Sequence, residues 1–289
     1  MSSLCTLLGY TRQAFYKYQQ QHQKQALETE LLLQQVLKIR QLQPQIGTRK
    51  LMVLLGDFMK DHNIELGRDG LFDLLREHRL LVRKRKRKAH TTFSRHWYSK
   101  YPNLIKGMEP RCANELWVSD ITYIPLKERF GYLSLVTDAY SRKIVGHFLS
   151  ATLEAWGSVN ALKMAIKNAS GIQGLIHHSD RGIQYCCNDY VKVLKTKSIG
   201  ISMTENGDPY ENAIAERVNG ILKEELLQRR YNTLEEATKS VTAAITIYNT
   251  LRPHASCNML TPQQAHLQTG PLRKHWKNYY ATKQKEVIV

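Results

Sequence analysis

Leu116-Trp-Val-Ser-Asp-Ile-Thr-Tyr-Ile124 is the stretch on which the fold turns: its aromatic and β-branched side chains suit a pleated, half-buried strand. Beyond it, 131–137 and 143–150 have the same character on either side of a turn at 138–142, so three antiparallel strands are expected. A helix over about 154–169 follows, then the short apolar run Leu175-Ile-His-His178, a helix near 189–196 and a strand at 199–203. The order β-β-β-α-β-α-β-α predicts an α/β unit, and such sheets place their sites at the carboxyl ends of strands.

Three carboxylates stand in well-marked surroundings. They are Asp120 in Trp117-Val-Ser-Asp-Ile-Thr-Tyr123, Asp180 in His178-Ser-Asp-Arg-Gly-Ile-Gln-Tyr185, and Glu216 in Asn212-Ala-Ile-Ala-Glu-Arg217. Acids brought from two strand ends and one helix can hold two hard divalent cations, and such a pair serves in-line phosphoryl displacement. Spacing alone does not single them out, since Asp73 and Glu109, or Asp189 and Glu225, are as far apart in sequence as Asp180 and Glu216. Context does: Asp73 belongs to the amphipathic front helices, Glu109 follows a linker, and Asp189 and Glu225 read as ordinary surface-helix positions. Acids at strand ends also cap turns, which is the plainer reading of any one of them.

For the Glu216 helix, Asp208 reads as N-cap, Pro209 as the first helical residue and Glu211 as the capping-box partner. Ile214, Val218, Ile221 and Leu222 form the expected buried stripe; Asn212, Glu216, Asn219 and Lys223 form a polar face. Lys223, two turns beyond Glu216, is placed to meet a phosphate, or else simply faces solvent. His177 and His178 end an apolar strand and read as packing or substrate contacts, because oxygen-preferring Mg²⁺ seldom recruits imidazole. Asp138 reads as a turn-initiating aspartate, and Cys186-Cys187 as packing.

Charge points to a polyanionic partner. The 289 residues carry 42 Lys and Arg against 25 Asp and Glu, a net +17. Residues 1–106 hold 20 cations against 8 acids, a surplus of 12, and 107–289 hold 22 against 17, a surplus of 5. A basic surface is sometimes only a soluble one, but with the phosphodiester-type acids it favours double-stranded DNA. The front third reads as all-helical. Thr11-Arg-Gln-Ala-Phe-Tyr-Lys17 resembles the second half of a helix-turn-helix, with Thr11 as cap and Arg12, Gln13 and Lys17 facing a groove. Helices over about 25–41, 48–61 and 67–77 follow. Arg83-Lys84-Arg85-Lys86-Arg87-Lys88 then opens a basic linker able to track phosphates, or merely a solvated one. The expected domains are 1–82, helical and DNA-binding; 83–107, linker; 108–270, catalytic core; and 271–289, a basic tail.

Five cysteines without paired spacing indicate neither a disulfide framework nor a zinc site, and a reducing cytoplasm fits. No apolar run is long enough to span a bilayer, and the N-terminus lacks a signal-peptide core.

The motifs around the three acids, together with Tyr132-Leu-Ser-Leu-Val-Thr-Asp138, Ser141-Arg-Lys-Ile-Val-Gly146, Tyr248-Asn-Thr-Leu-Arg-Pro-His254 and Thr261-Pro262, resemble the retroviral-integrase-type DDE transposases. The resemblance is to the second-frame (OrfB) proteins of the insertion sequence three family. It covers about residues 108–270, and the front with Ile46-Gly-Thr-Arg-Lys50 is similar more loosely. It implies an RNase H-like core, a mixed five-stranded sheet with helices, whose triad is Asp120, Asp180 and Glu216 on two Mg²⁺, with Mn²⁺ tolerated. It further implies cleavage and strand transfer at element ends through a circular intermediate, a homo-oligomer on DNA, and a partner or fusion carrying an upstream helix-turn-helix and leucine zipper. Nucleoid association follows when DNA is bound. Ser256-Cys-Asn258 departs from the family's tail motif, and the front lacks the His/His/Cys/Cys module of retroviral integrases. Two other readings of the residues are a DNA-binding regulator with no catalysis and an RNase H-like nuclease that cuts without joining.

Overall fold

The structure, a computed structural model, describes Leu7, Gly9 and residues 11–82, 97–205 and 212–275. The basic run Arg83 to Lys88 and the expected cap residues Asp208, Pro209 and Glu211 lie outside the described residues. The chain divides into two compact units, Met1–Arg83 and Lys84–Val289.

In the first unit, α1 (Arg12–Leu42) is one helix of 31 residues. This corrects the expected break between residues 17 and 25: Thr11 caps the helix as expected, accepting from the Ala14 N–H at 3.1 Å, but no turn separates its start from the helix expected at 25–41, while most of the residues ahead of Gly9 lie outside the described residues. The reason lies in the composition, because nothing from Arg12 to Leu42 is Gly or Pro and the intervening glutamines are good helix formers. Pro44 follows the end. The helix expected at 48–61 is interrupted at Leu55, giving α2 (Thr48–Leu54) and α3 (Gly56–Asp61). With α4 (Arg68–Glu77), these bury Leu32, Val36, Ile46, Leu51, Leu55, Met59, Ile64, Leu71 and Leu75 in one core.

The second unit is the expected α/β unit. Its five strands are β1 (Leu116–Pro125), β2 (Phe130–Asp138), β3 (Ile144–Ser150), β4 (Ile176–Ser179) and β5 (Gly200–Met203), in the order β3-β2-β1-β4-β5. The first three pair antiparallel, while β4 lies parallel to β1 and β5 parallel to β4. Both faces are covered, with α5 (Ala155–Asn168), α6 (Ile183–Cys186) and α7 (Asn188–Thr196) on the side of Trp117 and Val136. The other face packs on α8 (Ala213–Ile221) and α9 (Leu234–Thr250) through Leu116, Val118, Leu133 and Leu135. A π-helix, Leu222–Leu226, continues α8, and α10 (Pro262–Ala265) closes the unit behind a capping box at Thr261.

Two local devices fix the sheet. A Cβ at Gly146 would lie 2.2 Å from the Ala161 carbonyl oxygen and 2.8 Å from the Ala165 nitrogen, so glycine is what lets α5 seat on β3. At the start of β3, the Asn249 side chain donates to the Ile144 carbonyl at 2.9 Å and accepts from its N–H at 3.0 Å. An amide on α9 thus supplies what a neighbouring strand would supply. From Trp97 on, the stretch read as linker lies against this unit, with Tyr98 and Tyr101 packed on the core and the Leu104 N–H donating to Ser202 Oγ at 2.8 Å.

Candidate active site

Asp120 lies within β1 rather than at its end, opposite Leu135 of β2. What ends there is the parallel pairing: β1 and β4 pair as far as Val118 with His178. Two residues further along each strand come Asp120 and Asp180, side by side at the carboxyl end of β4 and, by the twofold alternation of strands, on the same face. That face also carries Leu116 and Val118, which pack on Ala215, the residue before Glu216. The sheet and α8 therefore set Asp120 within electrostatic range of both Asp180 and Glu216.

The carboxylates feel one another. Burial pushes Asp120 up to about 7, with the Asp180 charge adding to the rise and Glu216 adding a smaller push, against donors on Asn219 and Ile121. Asp120 accepts from the Asn219 side-chain amide at 2.7 Å and from the Ile121 N–H at 2.9 Å. The Gly182 N–H donates to Asp180 at 2.9 Å, and a Cβ at Gly182 would press on the same oxygen at that distance, which accounts for the Asp-Arg-Gly order. Glu216 is exposed in the first turn of α8. Among the described residues no three His, Cys, Asp or Glu side chains are gathered closely enough to cage an ion.

On the polar side of α8, Asn212 and Asn219 face the sheet while Glu216 stays exposed. Asn212 and Asn219 are buried, Asn212 donating to the Ser119 carbonyl at 3.0 Å, while Ile214 is only partly buried. This corrects the expected stripe, in which Ile214 was core and both asparagines belonged to an open face. Lys223 is half-buried, its Nζ 3.2 Å from Thr122 Oγ1; burial lowers its pKa and the nearby Asp120 opposes that. Behind the acids, His177 Nε2 is 2.7 Å from Ser119 Oγ and 2.9 Å from Tyr190 Oη, and burial brings its pKa down to about 3. His178 Nδ1 is 2.9 Å from Ser202 Oγ. Both histidines are packing residues, as is Cys186.

Glu225 is not an ordinary surface position. It lies in the π-helix and accepts two bonds of 2.8 Å from Arg252, whose side chain is 1% exposed. Asp138 is wholly buried and accepts from Ser141 N, Ser141 Oγ and Asn114 N, as its turn-initiating role requires. Arg12 and Lys17 lie on the exposed surface of α1, in the first unit. Sequence reasoning missed Asn212, Asn219 and the Arg252 pair; the signal for the asparagines was their recurrence beside Glu216 on a helix that had to face β1.

Comparison with known proteins agrees with this architecture. Two models described as Integrase core domain match residues 110–209 and 197–262. The chain is 31% identical over 264 residues to the insertion element IS600 uncharacterized 31 kDa protein of Shigella sonnei, covering 90% of this chain and 96% of that one. It is 33% identical over 153 residues to Transposase InsF for insertion sequence IS3A of Escherichia coli (strain K12); that match covers 52% of this chain and about half, 53%, of that protein. Among solved structures, the HTLV-2 integrase catalytic core domain in complex with magnesium (trimeric form) aligns with a TM-score of 0.42 at 19% identity, covering 54% of this chain and 97% of that one. The chain belongs to the insertion-sequence transposases of the insertion sequence three type, DDE enzymes with an integrase core.

Proposed function

We propose that Asp120, Asp180 and Glu216 hold two divalent cations, Mg²⁺ with Mn²⁺ as a substitute, and that the protein cleaves and joins DNA strands at the ends of its element. The observation that carries this is the placement of Asp120 on β1 beside Asp180 at the end of β4, with the Glu216 charge on α8 near enough to add to the burial and the Asp180 charge that raise Asp120 to about 7. An all-oxygen donor set with surplus negative charge suits hard cations. The chemistry such ions supply when bound is activation of a water or a 3′-hydroxyl and stabilisation of the leaving oxygen.

The chain's own residues do the rest. Asn219 and the Ile121 N–H orient Asp120, the Gly182 N–H orients Asp180, and α8 carries Glu216. Lys223, beside Thr122, neutralises a phosphate entering the site. Arg83, Lys84, Arg85, Lys86, Arg87 and Lys88 follow the DNA backbone, and Arg12 and Lys17 contact it from the first unit. Two ends must be held together, so the working form is a homo-oligomer on double-stranded DNA, with an upstream helix-turn-helix product as a further partner.

The test is incubation of the protein with labelled element ends and Mg²⁺ or Mn²⁺, scoring nicked and joined products. Asp120→Ala, Asp180→Ala and Glu216→Ala are each expected to lose both products while binding DNA. Strand joining by any of the three variants overturns the assignment, and nicking without joining by the parent favours a simple nuclease.

A further inference from the structure

Residues 98–108 precede the integrase core match, which starts at 110, yet they cross from one face of the sheet to the other. Tyr98 and Tyr101 pack in the cluster of Trp117 and Tyr190, with Lys195 Nζ 5.9 Å above the Tyr101 ring. The chain then passes the outer edge of β5, the last strand of the sheet. There the Met203 N–H donates to the Pro102 carbonyl at 3.3 Å and the Leu104 N–H to Ser202 Oγ at 2.8 Å, so an edge strand is covered. Ile105 and Met108 end on the opposite face, in the cluster of Leu116, Val118, Ala139 and Ala215, where Ile214 also packs. A turn brings these two side chains to one cluster: the Met108 N–H donates to the Ile105 carbonyl at 2.9 Å, and Gly107 between them has φ +77°, as the third residue of a type II turn requires.

These contacts reach the supports of two of the acids. Ile214 and Ala215 are the residues just before Glu216 on α8, and the first turn of that helix has no side-chain cap. Asn212, at the N-cap position, instead donates its amide to the Ser119 carbonyl at 3.0 Å. An uncapped first turn frays unless something else fixes it, and here that bond and the packing of Ile214 and Ala215 do so. At the sheet edge, Ser202 Oγ, which takes the Leu104 N–H, is also 2.9 Å from Nδ1 of His178, two residues before Asp180.

We propose that the strap 101–108 is part of the catalytic machinery, with Ile105 and Met108 as positioning residues that hold the first turn of α8, and through it Glu216, at the site. Leu104 steadies the end of β4 in the same way, through Ser202 and His178. This rests on the reading of Asp120, Asp180 and Glu216 as the catalytic acids. None of the strap residues touches DNA or metal in this role; they act by packing alone, as a supporting shell does for a site that tolerates little displacement.

The test compares the full chain with Ile105→Ala/Met108→Ala and with the conservative Ile105→Val/Met108→Leu, by hydrogen exchange and by single-turnover nicking of labelled element ends in Mg²⁺ at saturating DNA. In the alanine variant, exchange over 213–219 is expected to rise at least about tenfold while 116–150 and 234–250 keep the parent's rates, because the loosening is local. Nicking is expected to fall about 10- to 100-fold with DNA affinity kept, the cost of a misplaced catalytic group, and the conservative variant should restore both readouts. Unchanged exchange over 213–219 overturns the proposal. So does a rise of the same size over 116–150, which would make the strap a support of overall stability, or a loss of nicking matched by a loss of DNA affinity. If the double variant loses its fold by circular dichroism, Met108→Ala alone, at a partly buried position, carries the same comparison. Exchange needs no turnover: a parent that nicks nothing refutes the catalytic reading, while exchange over 213–219 still decides whether the strap holds α8.

Discussion

Asn219 occupies the position from which the site's geometry is most sensitively controlled. Its amide donates to Asp120 at 2.7 Å from one turn beyond Glu216, so it ties the helix carrying one acid to the strand carrying another. Removing a hydrogen bond to a charged group costs roughly 1.5–3 kcal/mol. Asn219→Ala is therefore expected to slow strand joining about 10- to 100-fold at saturating DNA with little loss of DNA affinity, measured as single-turnover rates and binding curves side by side. An equal loss in both would make Asn219 a DNA contact instead. The three acids stood out in sequence because each has a distinctive local setting, Asp180 at a strand end and Glu216 on a well-patterned helix, whereas Asp120, expected at a strand end, lies within β1. Asn219 was visible only as one more polar residue on the Glu216 face, since helical periodicity tells which residues share a side and not whether that side meets water or a strand. Asn212, buried against the Ser119 carbonyl, was misread for the same reason.

Elements were legible where periodicity was strong and local. All five strands and the helices at Ala155–Asn168 and Asn188–Thr196 fall where their composition placed them. α9 went unread although Thr233 and Glu236 have capping-box spacing and Ala237, Val241, Ala244, Ile245 and Tyr248 form a buried stripe. The π-helix was beyond sequence reading, because its register change is set by a partner 27 residues away: Arg252, which forks onto Glu225 with two bonds of 2.8 Å. This explains part of the Tyr248–His254 motif, in which Tyr248 also donates to the Arg142 carbonyl at 3.0 Å and Asn249 closes the start of β3. Breaking a buried pair by removing one partner costs about 3–5 kcal/mol, whereas replacing both with apolar groups of similar volume is often near neutral. Urea denaturation of Arg252→Met and Glu225→Leu should show a loss of that order for Arg252→Met alone, and a double variant closer to the parent than the sum of the two. Additive losses would mean that the ion pair does not hold the π-helix against α9.

Across the whole catalytic unit, Asp138 is the knot that joins distant parts of the chain. It accepts from Asn114 ahead of β1 and from Ser141 in the β2–β3 turn, while His266 just after α10 stands 3.8 Å away and 2.9 Å from the Ser141 hydroxyl. Close by, the Gly270 N–H donates to the Arg111 carbonyl and Tyr140 Oη to the Gly270 carbonyl, so both borders of the integrase core meet at this aspartate. Burial by itself would raise the Asp138 carboxyl, but His266 and the donors on Ser141 and Asn114 outweigh it and leave its pKa below the usual aspartate value. The sign follows from linkage: the folded state binds this proton less readily than the unfolded chain, whose aspartates titrate near about 3.9, so stability is fully present above that pH and lost as pH falls through the folded value. Asp138→Asn is expected to be less stable than the parent by on the order of 1–3 kcal/mol at about pH 7, with the gap unchanged down to about pH 4 and narrowing as pH falls to about pH 2, in urea titrations monitored by the buried Trp117. A gap that stays constant over that range would assign the cost to altered packing rather than to the charge, and would leave acid unfolding of this unit to other carboxylates.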